Sequence, residues 1–547
     1  MMARVTSFAL QGIESCSVEV EVDVSPGLPG LSLVGLPDAA VSEARERVRA
    51  ALRNSGLEYP NRRITVNLAP AHVRKEGPHF DLPIALGLLV ATGQMPEGRL
   101  RRLAVAGELA LDGSVRPVRG VLSWALSWRR RLSGGRDDVS ELLVPAANAG
   151  EARQVPGLTV HAAAHLAQVA VWLRGDGSLA GPTLAPAGAA SLFPGEAGFA
   201  SLGLDEGLDL ADVRGQSAAK RALEVAAAGG HNLLLVGPPG SGKTMLARRL
   251  ATILPPLTPE EALEASRIHS VAGLLDGRLG LLSARPFRAP HHNISASALV
   301  GGGHPPRPGE VSLAHHGVLF LDELPEFRRD ALEALRQPLE EARVTVVRGG
   351  VSVTFPAQTM LVAAMNPCAC GWLGDAEHAC ACSAGALRQY RARVSGPLLD
   401  RLDLHLHVPR QAPQSPPAAW QFPEATAPDA ATREAGASEA AAAAQAETSA
   451  AVRSRVTEAR LRQESRLRPH GFRFNAQVPG RLLWRLSRMS PEAETMLDAA
   501  ARRLKLTWRG YDRTARVART IADLDGEAAV LPRHVAEAVQ YRSWEQE

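Results

Sequence analysis

Along the chain, hydrophobic positions first alternate and later gather into runs. In CSVEVEVDVSPG, Val18, Val20, Val22 and Val24 alternate with polar residues, the period of a half-buried strand. DAAVSEARERVRAALRNSG then takes helical spacing, with Asp38 as N-cap and Gly56 as the stop. Three unbroken apolar runs follow as buried strands: 233–236, 318–321, and the run in TMLVAAMNP that ends before Asn366. VTVVRGGVSVTF, residues 344–355, reads as two strands of β-branched residues joined across Gly349-Gly350, with Arg348 at the turn. Near the end, Ser490-Pro491 opens a helix whose apolar face includes Leu497 and Leu504. The stretch 511–524 lines up Val517, Ile521 and Leu524 before Asp525-Gly526, and a last helix begins near Pro532.

Two stretches break this patterning. Residues 176–204 are rich in Gly, Pro and Ala, as in a linker, and residues 411–453 form a low-complexity insertion rich in Ala, Pro and Glu. They leave domains at 1–175, 205–410 and 454–547, without a solenoid-type repeat. With 547 residues, 45% hydrophobic and 22% charged, the composition is that of a globular chain with several cores. A net charge of +4 is too small to argue for nucleic acid by itself, so polyanion binding must come from local patches. The start MMARVTSFALQGIESC lacks the form of a secretory signal, and LPIALGLLVATG is shorter than the roughly 18 residues that span a bilayer. The five cysteines, four of them between Cys368 and Cys382, are not a disulfide framework for a chain of this size. The expectation is a soluble cytoplasmic protein without membrane contact.

The central region carries the strongest chemical signal. HNLLLVGPPGSGKTMLARRL places a buried strand, then Gly237, Pro238, Pro239, Gly240, Ser241, Gly242, Lys243 and Thr244, then a helix starting near Lys243. Glycines let backbone N–H groups close around phosphate oxygens, and the helix N-terminus favours negative charge. Lys243 is expected on the β- and γ-phosphates of ATP and Thr244 on Mg²⁺. The second run, GVLFLDELPEF, ends in Asp322, expected to hold Mg²⁺, and Glu323, expected to orient the attacking water. Asn366 at the end of the third run either positions that water or forms the turn before Pro367. The segment NPCACGWLGDAEHACACS spaces Cys368, Cys370, Cys380 and Cys382 as two CxC pairs, with His378 as a spare ligand. Four thiolates in one loop could close a tetrahedral Zn²⁺ site; the alternative is a loop of reduced, unliganded cysteines.

The order of GPPGSGKT, RPFRAPHHNISASALVGGG, PGEVSLAHHGVLFLDELPEF, AAMNPCACG, GPLLDRLDLHLHVPR and RVARTIADLDG resembles the magnesium-chelatase-like AAA+ ATPases of the YifB/ComM family over nearly the whole chain. The resemblance implies a homohexameric ring with ATP between neighbouring subunits. It makes Arg401 the arginine finger, with an ion pair to Asp400 or Asp403 as the alternative. It makes Arg509 the sensor arginine, although Trp508 stands where the family has a small residue, which keeps Arg513 as the alternative. The hairpin falls where this branch directs one into the ring's pore, so Arg348 is expected on a DNA backbone; the alternative is a solvated surface arginine. Arg285 and Arg288, with His291 and His292, are further DNA-contact candidates.

RKEGPHFDLPIALGLLVATGQ and AGELALDGSVRPVRGVLSWAL resemble the Lon-protease catalytic domain, but His79 replaces its serine and Leu122 its lysine. The expected fold is therefore a multidomain α/β chain: a Lon-like (S5 domain 2-like) α+β domain without its catalytic dyad, an AAA+ P-loop αβα core, and a C-terminal helical lid. The function implied is an ATP-driven DNA helicase that migrates branches in homologous recombination during natural transformation. A magnesium-chelatase-like metal-insertion or remodelling ATPase is the alternative, against which the fused Lon-like domain argues. ATP-dependent proteolysis lacks its serine and lysine.

Overall fold

A computed structural model of the chain describes residues 2–132, 141–175, 179, 207–275, 280–348, 351–411 and 447–542, with the side chains at 131, 132, 348 and 351 outside the description. The N-terminal unit is built on a seven-stranded mixed sheet ordered Gly30–Val34, Arg63–Ala69, Glu14–Ser25, Met2–Gln11, Leu103–Val105, Glu141–Pro145 and Thr159–Ala163. Val18, Val20, Val22 and Val24 are buried on one face, as the alternation requires. The apolar run near residue 85 forms the helix Asp81–Ala91, buried along its whole length rather than on one stripe. Among the described residues no helix is long and apolar enough to cross a membrane.

Asp38 does cap a helix, its Oδ1 accepting the Val41 N–H at 2.7 Å. The continuous helix expected from there to Gly56 is instead two, Ala39–Ser42 and Ala44–Asn54, meeting at Glu43. Glu43 lacks a side-chain cap, so the second helix starts with no local signal a reader of the sequence could use.

The central unit holds a five-stranded sheet ordered Phe287–Arg288, Val318–Leu321, Met360–Met365, Leu233–Val236 and Leu404–His407, parallel at every pairing. Its three middle strands are buried on both faces, which is why they read as unbroken apolar runs. One face shares a core with Ser217–Gly229, Lys243–Ile253 and the C-terminal helices: Leu233, Leu235, Leu250, Val456, Val517 and Ile521 belong to one cluster. The helix Ser449–Leu467, capped by Thr448 Oγ1 on the Ala451 N–H, begins inside the stretch read as insertion. A preceding alanine run disguised its start. Pro491–Arg503 and Pro532–Gln540 start where the sequence places them, whereas the helix expected from 511 starts at Trp508 under the Thr507 cap.

Strands Arg343–Arg348 and Val351–Pro356 pair antiparallel, with Arg348 opposite Val351. Val344, Val346, Val353 and Phe355 root the hairpin in the core. Its turn, 349–350, and the Arg348 side chain lie outside the described residues. The N-terminal unit touches this root: at Gly12, where φ is +68°, a Cβ would lie 2.3 Å from Val353 Cγ1. Arg267 fastens the same turn, donating to Ile13 O at 2.9 Å and pairing with Glu14 at 2.8 Å. Nearby, Ser270 Oγ donates to Glu151 at 2.6 Å.

Candidate active site

Parallel strands deliver their following residues to one edge of the sheet, and the polar groups gather there. The loop from Gly237 to Gly242 joins Leu233–Val236 to the helix Lys243–Ile253. Gly237 has no room for a side chain, since a Cβ would meet Val408 O at 2.2 Å, while Gly240 and Gly242 hold φ of +76° and +87°. Lys243 Nζ donates to Gly237 O at 2.8 Å, Pro238 O at 2.9 Å and Asn366 Oδ1 at 3.2 Å. Burial lowers the Lys243 amine from its ordinary range against the opposing pull of Asp322 and Glu323. Thr244 Oγ1 donates to Asp322 Oδ2 at 2.6 Å, and Asp322 Oδ1 accepts the Glu323 N–H at 2.9 Å. Glu323 itself adopts φ +53° and turns a carboxylate that is 61% exposed toward His292 Nδ1, 3.4 Å away.

These groups fit a nucleotide phosphate chain and Mg²⁺. The lysine charge is satisfied by neutral oxygens alone, and the buried Ser241 Oγ has no hydrogen-bond partner among the described residues. A threonine hydroxyl beside a carboxylate is the oxygen donor set a hard divalent cation takes.

Other candidates sit elsewhere. Arg401 is 6% exposed and held by Arg336 O, Pro397 O and the Glu340 carboxylate, not by Asp400 or Asp403. Arg509 lies in the first turn of its helix rather than before it, 63% exposed, with Nη2 4.0 Å from the same Glu340 oxygen. Arg513 is sequestered, 3.3 Å from Asp403. Glu340 as the joint between Arg401 and Arg509 has no local signal in the sequence, because its partners lie far along the chain.

Two DNA-contact candidates have partners within the fold. Arg285 is buried, bonding Pro255 O at 2.6 Å, His316 O at 2.7 Å and Glu261 at 2.7 Å, so its guanidinium is spent inside the fold. Arg288 is forked onto Glu310 at 2.6 and 2.8 Å. Of the paired histidines, His291 Nδ1 accepts the Asn293 N–H at 3.3 Å, and His292 faces Glu323. The four cysteine sulfurs converge within 4.8 Å of one another. His378 is not a fifth ligand, since it stacks on Trp372 at 4.2 Å and bonds Asp375.

In the N-terminal unit His79 is 6% exposed, with Nε2 2.7 Å from Phe8 O and its ring 4.1 Å from Phe80 and 4.9 Å from Trp124. Burial pushes its pKa down to about 4. Leu122 is fully buried.

Three family models match, described as magnesium chelatase, subunit ChlI, over residues 209–415, subunit ChlI of Mg-chelatase over 20–148, and magnesium chelatase, subunit ChlI C-terminal, over 446–542. The chain is 41% identical over 544 residues to competence protein ComM of Haemophilus influenzae, covering 99% of this chain and 97% of that protein. It is 40% identical over 536 residues to the uncharacterized protein YifB of Escherichia coli, covering 98% and 96% of the two chains. The chain belongs to the YifB/ComM family of magnesium-chelatase-like AAA+ proteins. Within that family it is also 44% identical over 542 residues to an uncharacterized protein of Mycobacterium tuberculosis, covering 99% and 98%. The parallel-rich sheet of this YifB/ComM family member is consistent with an AAA+-like magnesium-chelatase fold.

Proposed function

We propose that this protein is an ATP-hydrolysing ring motor that moves on DNA. The observation that carries the reading is the convergence of Lys243, Thr244, Asp322 and Asn366 at the ends of three parallel strands. Lys243 exchanges the loop carbonyls for phosphate oxygens, Glu323 orients the attacking water, and Asn366 holds Lys243 and that water in register. Mg²⁺, held by Thr244 and Asp322, neutralises phosphate charge when bound.

The cations that complete hydrolysis come from the neighbouring subunit. Arg401, buried but paired with a carboxylate that is 50% exposed, and the exposed Arg509 both approach Glu340, which parks them until a phosphate replaces it. Trp508, 84% exposed beside Arg509, supports this face as a subunit contact, because a large aromatic left in water favours burial against a partner. The ring is homohexameric, as in the resemblance, and works in the cytoplasm.

DNA is the proposed cargo, with little sequence preference, gripped through the Arg348 hairpin in the pore. The name competence protein borne by the Haemophilus influenzae relative supports branch migration of incoming DNA in recombination during natural transformation. The N-terminal unit is proposed as a Lon-like domain without protease chemistry, and the C-terminal helices as the lid. The chelatase descriptions of all three matching family models favour a second reading, a motor that remodels a partner for metal insertion. The N-terminal region carries such a description too, so its presence does not separate the readings.

Steady-state ATP turnover with and without single-stranded and forked DNA, for wild type and Arg348→Ala, tests the proposal. Stimulation by DNA that the variant loses is expected. Turnover indifferent to any DNA would overturn the DNA reading and favour the second.

A further inference from the structure

The cysteine-bearing segment stands apart from the phosphate chemistry yet shares a wall with it. Residues 366–383, between the strand Met360–Met365 and the helix Ala384–Arg391, contain neither helix nor strand. Turns such as Gly371 N–H to Cys368 O, 3.1 Å, shape the segment locally. Ordering a long irregular loop costs backbone entropy, which calls for a cross-link. The sulfurs meet the need: Cys368 lies 3.3 Å from Cys370 and 3.7 Å from Cys380, Cys370 lies 3.6 Å from Cys380, and Cys382 completes a group within 4.8 Å. Sulfurs held about 2.3 Å from one zinc ion at tetrahedral angles stand about 3.8 Å apart. Disulfides are not the device, because all five cysteines are free.

The same segment touches the phosphate loop. At Gly371, where φ is +88°, a Cβ would lie 2.7 Å from Pro239 Cδ and 2.9 Å from its Cγ. Pro367, Leu373 and Gly374 also line a cleft of about 850 Å³ together with His405, Leu406 and His407, on the strand paired with Leu233–Val236.

We propose that Cys368, Cys370, Cys380 and Cys382 bind one Zn²⁺ ion, and that the resulting knuckle braces the phosphate loop through the contact of Gly371 with Pro239. Zinc is structural here, since four protein sulfurs leave no position open for a substrate. Its removal loosens the knuckle, and the loop loses part of its pre-set shape for nucleotide. The second half rests on the nucleotide-site reading; the metal content does not.

The test uses the full chain purified without added metal. One zinc per chain is expected by elemental analysis, and Co²⁺ substituted for it should give the intense charge-transfer band of a tetrathiolate site. Cys380→Ser combined with Cys382→Ser should carry no stoichiometric zinc. Because that variant could misfold, zinc is also stripped from wild type with a mercurial reagent and then restored. Stripping should weaken binding of a fluorescent ADP analogue about tenfold, and restoration should recover it. Gly371→Ala should keep its zinc while losing nucleotide affinity. Wild type without stoichiometric zinc, and without the Co²⁺ band, overturns the metal site. Zinc-loaded Gly371→Ala and zinc-stripped wild type that both bind nucleotide normally would leave the metal in place and overturn the brace. Failure of wild type itself to bind nucleotide would instead overturn the site reading beneath it.

Discussion

At the phosphate loop, polar groups face one another across an open sheet edge; around His79 they are closed in by aromatic rings. Lys243, Thr244, Asp322 and Asn366 bond mainly to one another and to loop carbonyls, and each can exchange a partner for a ligand. His79 offers its ring to Phe8 O between Phe80 and Trp124, and Leu122 supplies no charge. Both corners resemble a site of known chemistry in sequence. Burial separates them: a group that reacts must be able to change partners, and a group sealed in a core has already spent its hydrogen bond.

The comparison breaks first at the loop. Lys243→Ala should abolish ATP turnover, while Glu323→Gln should bind nucleotide and slow hydrolysis about 10²- to 10⁴-fold, the range of a lost general base. Full turnover by either variant in a coupled ATPase assay would remove the site assignment.

A smaller effect separates the arginines by their surroundings. Arg285→Ala leaves the buried Glu261 with Arg473 at 3.1 Å and should cost about 1.5–3 kcal/mol of stability by denaturant melt. A mild effect there would mean that Arg285 is not the internal strut described. Arg348→Ala, expected to act on DNA alone, should leave the melt unchanged.

At the closed corner, His79→Ser leaves Phe8 O without its partner and should cost about 1–3 kcal/mol. Peptide cleavage by that variant should stay at background, since no lysine stands at position 122. Measurable cleavage would show that the corner is not closed.

Acid gives the weakest and most distributed effect. Burial lowers His79 and His315 to about 4 and His405 to about 3. Each folded histidine refuses a proton that its unfolded form accepts below about 6.5. Their stabilisation is therefore complete above that pH and declines as pH falls toward 4. Asp81 opposes them: burial raises it to about 6 against the pull of Arg47, so its folded form holds a proton and its stabilisation fades as pH rises from about 3.9 through 6. With three groups against one, the melting temperature should drop between pH 7 and pH 5. A flat profile would mean that water reaches these histidines.

Legibility followed the range of the interactions. The strands Leu233–Val236 and Val318–Leu321 and the paired strands around Gly349-Gly350 were plain, because burial on both faces and β-branched alternation are written locally. The helix break at Glu43 was not, since nothing in the residues at 38–56 marks it. The loop residues could be named from spacing, because the chain itself brings Gly237 to Thr244 together. The internal partners of Arg285 were hidden because Glu261 and the carbonyls it bonds come from other segments. Glu340, which gathers Arg401 and Arg509, was invisible for the same reason.

In the proposed ring, one ATP site draws Lys243 and Glu323 from one subunit and Arg401 and Arg509 from the next. Mixing Lys243→Ala with Arg401→Ala protein, each inactive alone, tests it most directly by ATP turnover. Mixed rings contain junctions with an intact loop on one side and an intact arginine on the other, so turnover should reappear and peak near equal proportions. Inactivity at every ratio, with mixed rings verified by differential labelling, would contradict a shared site.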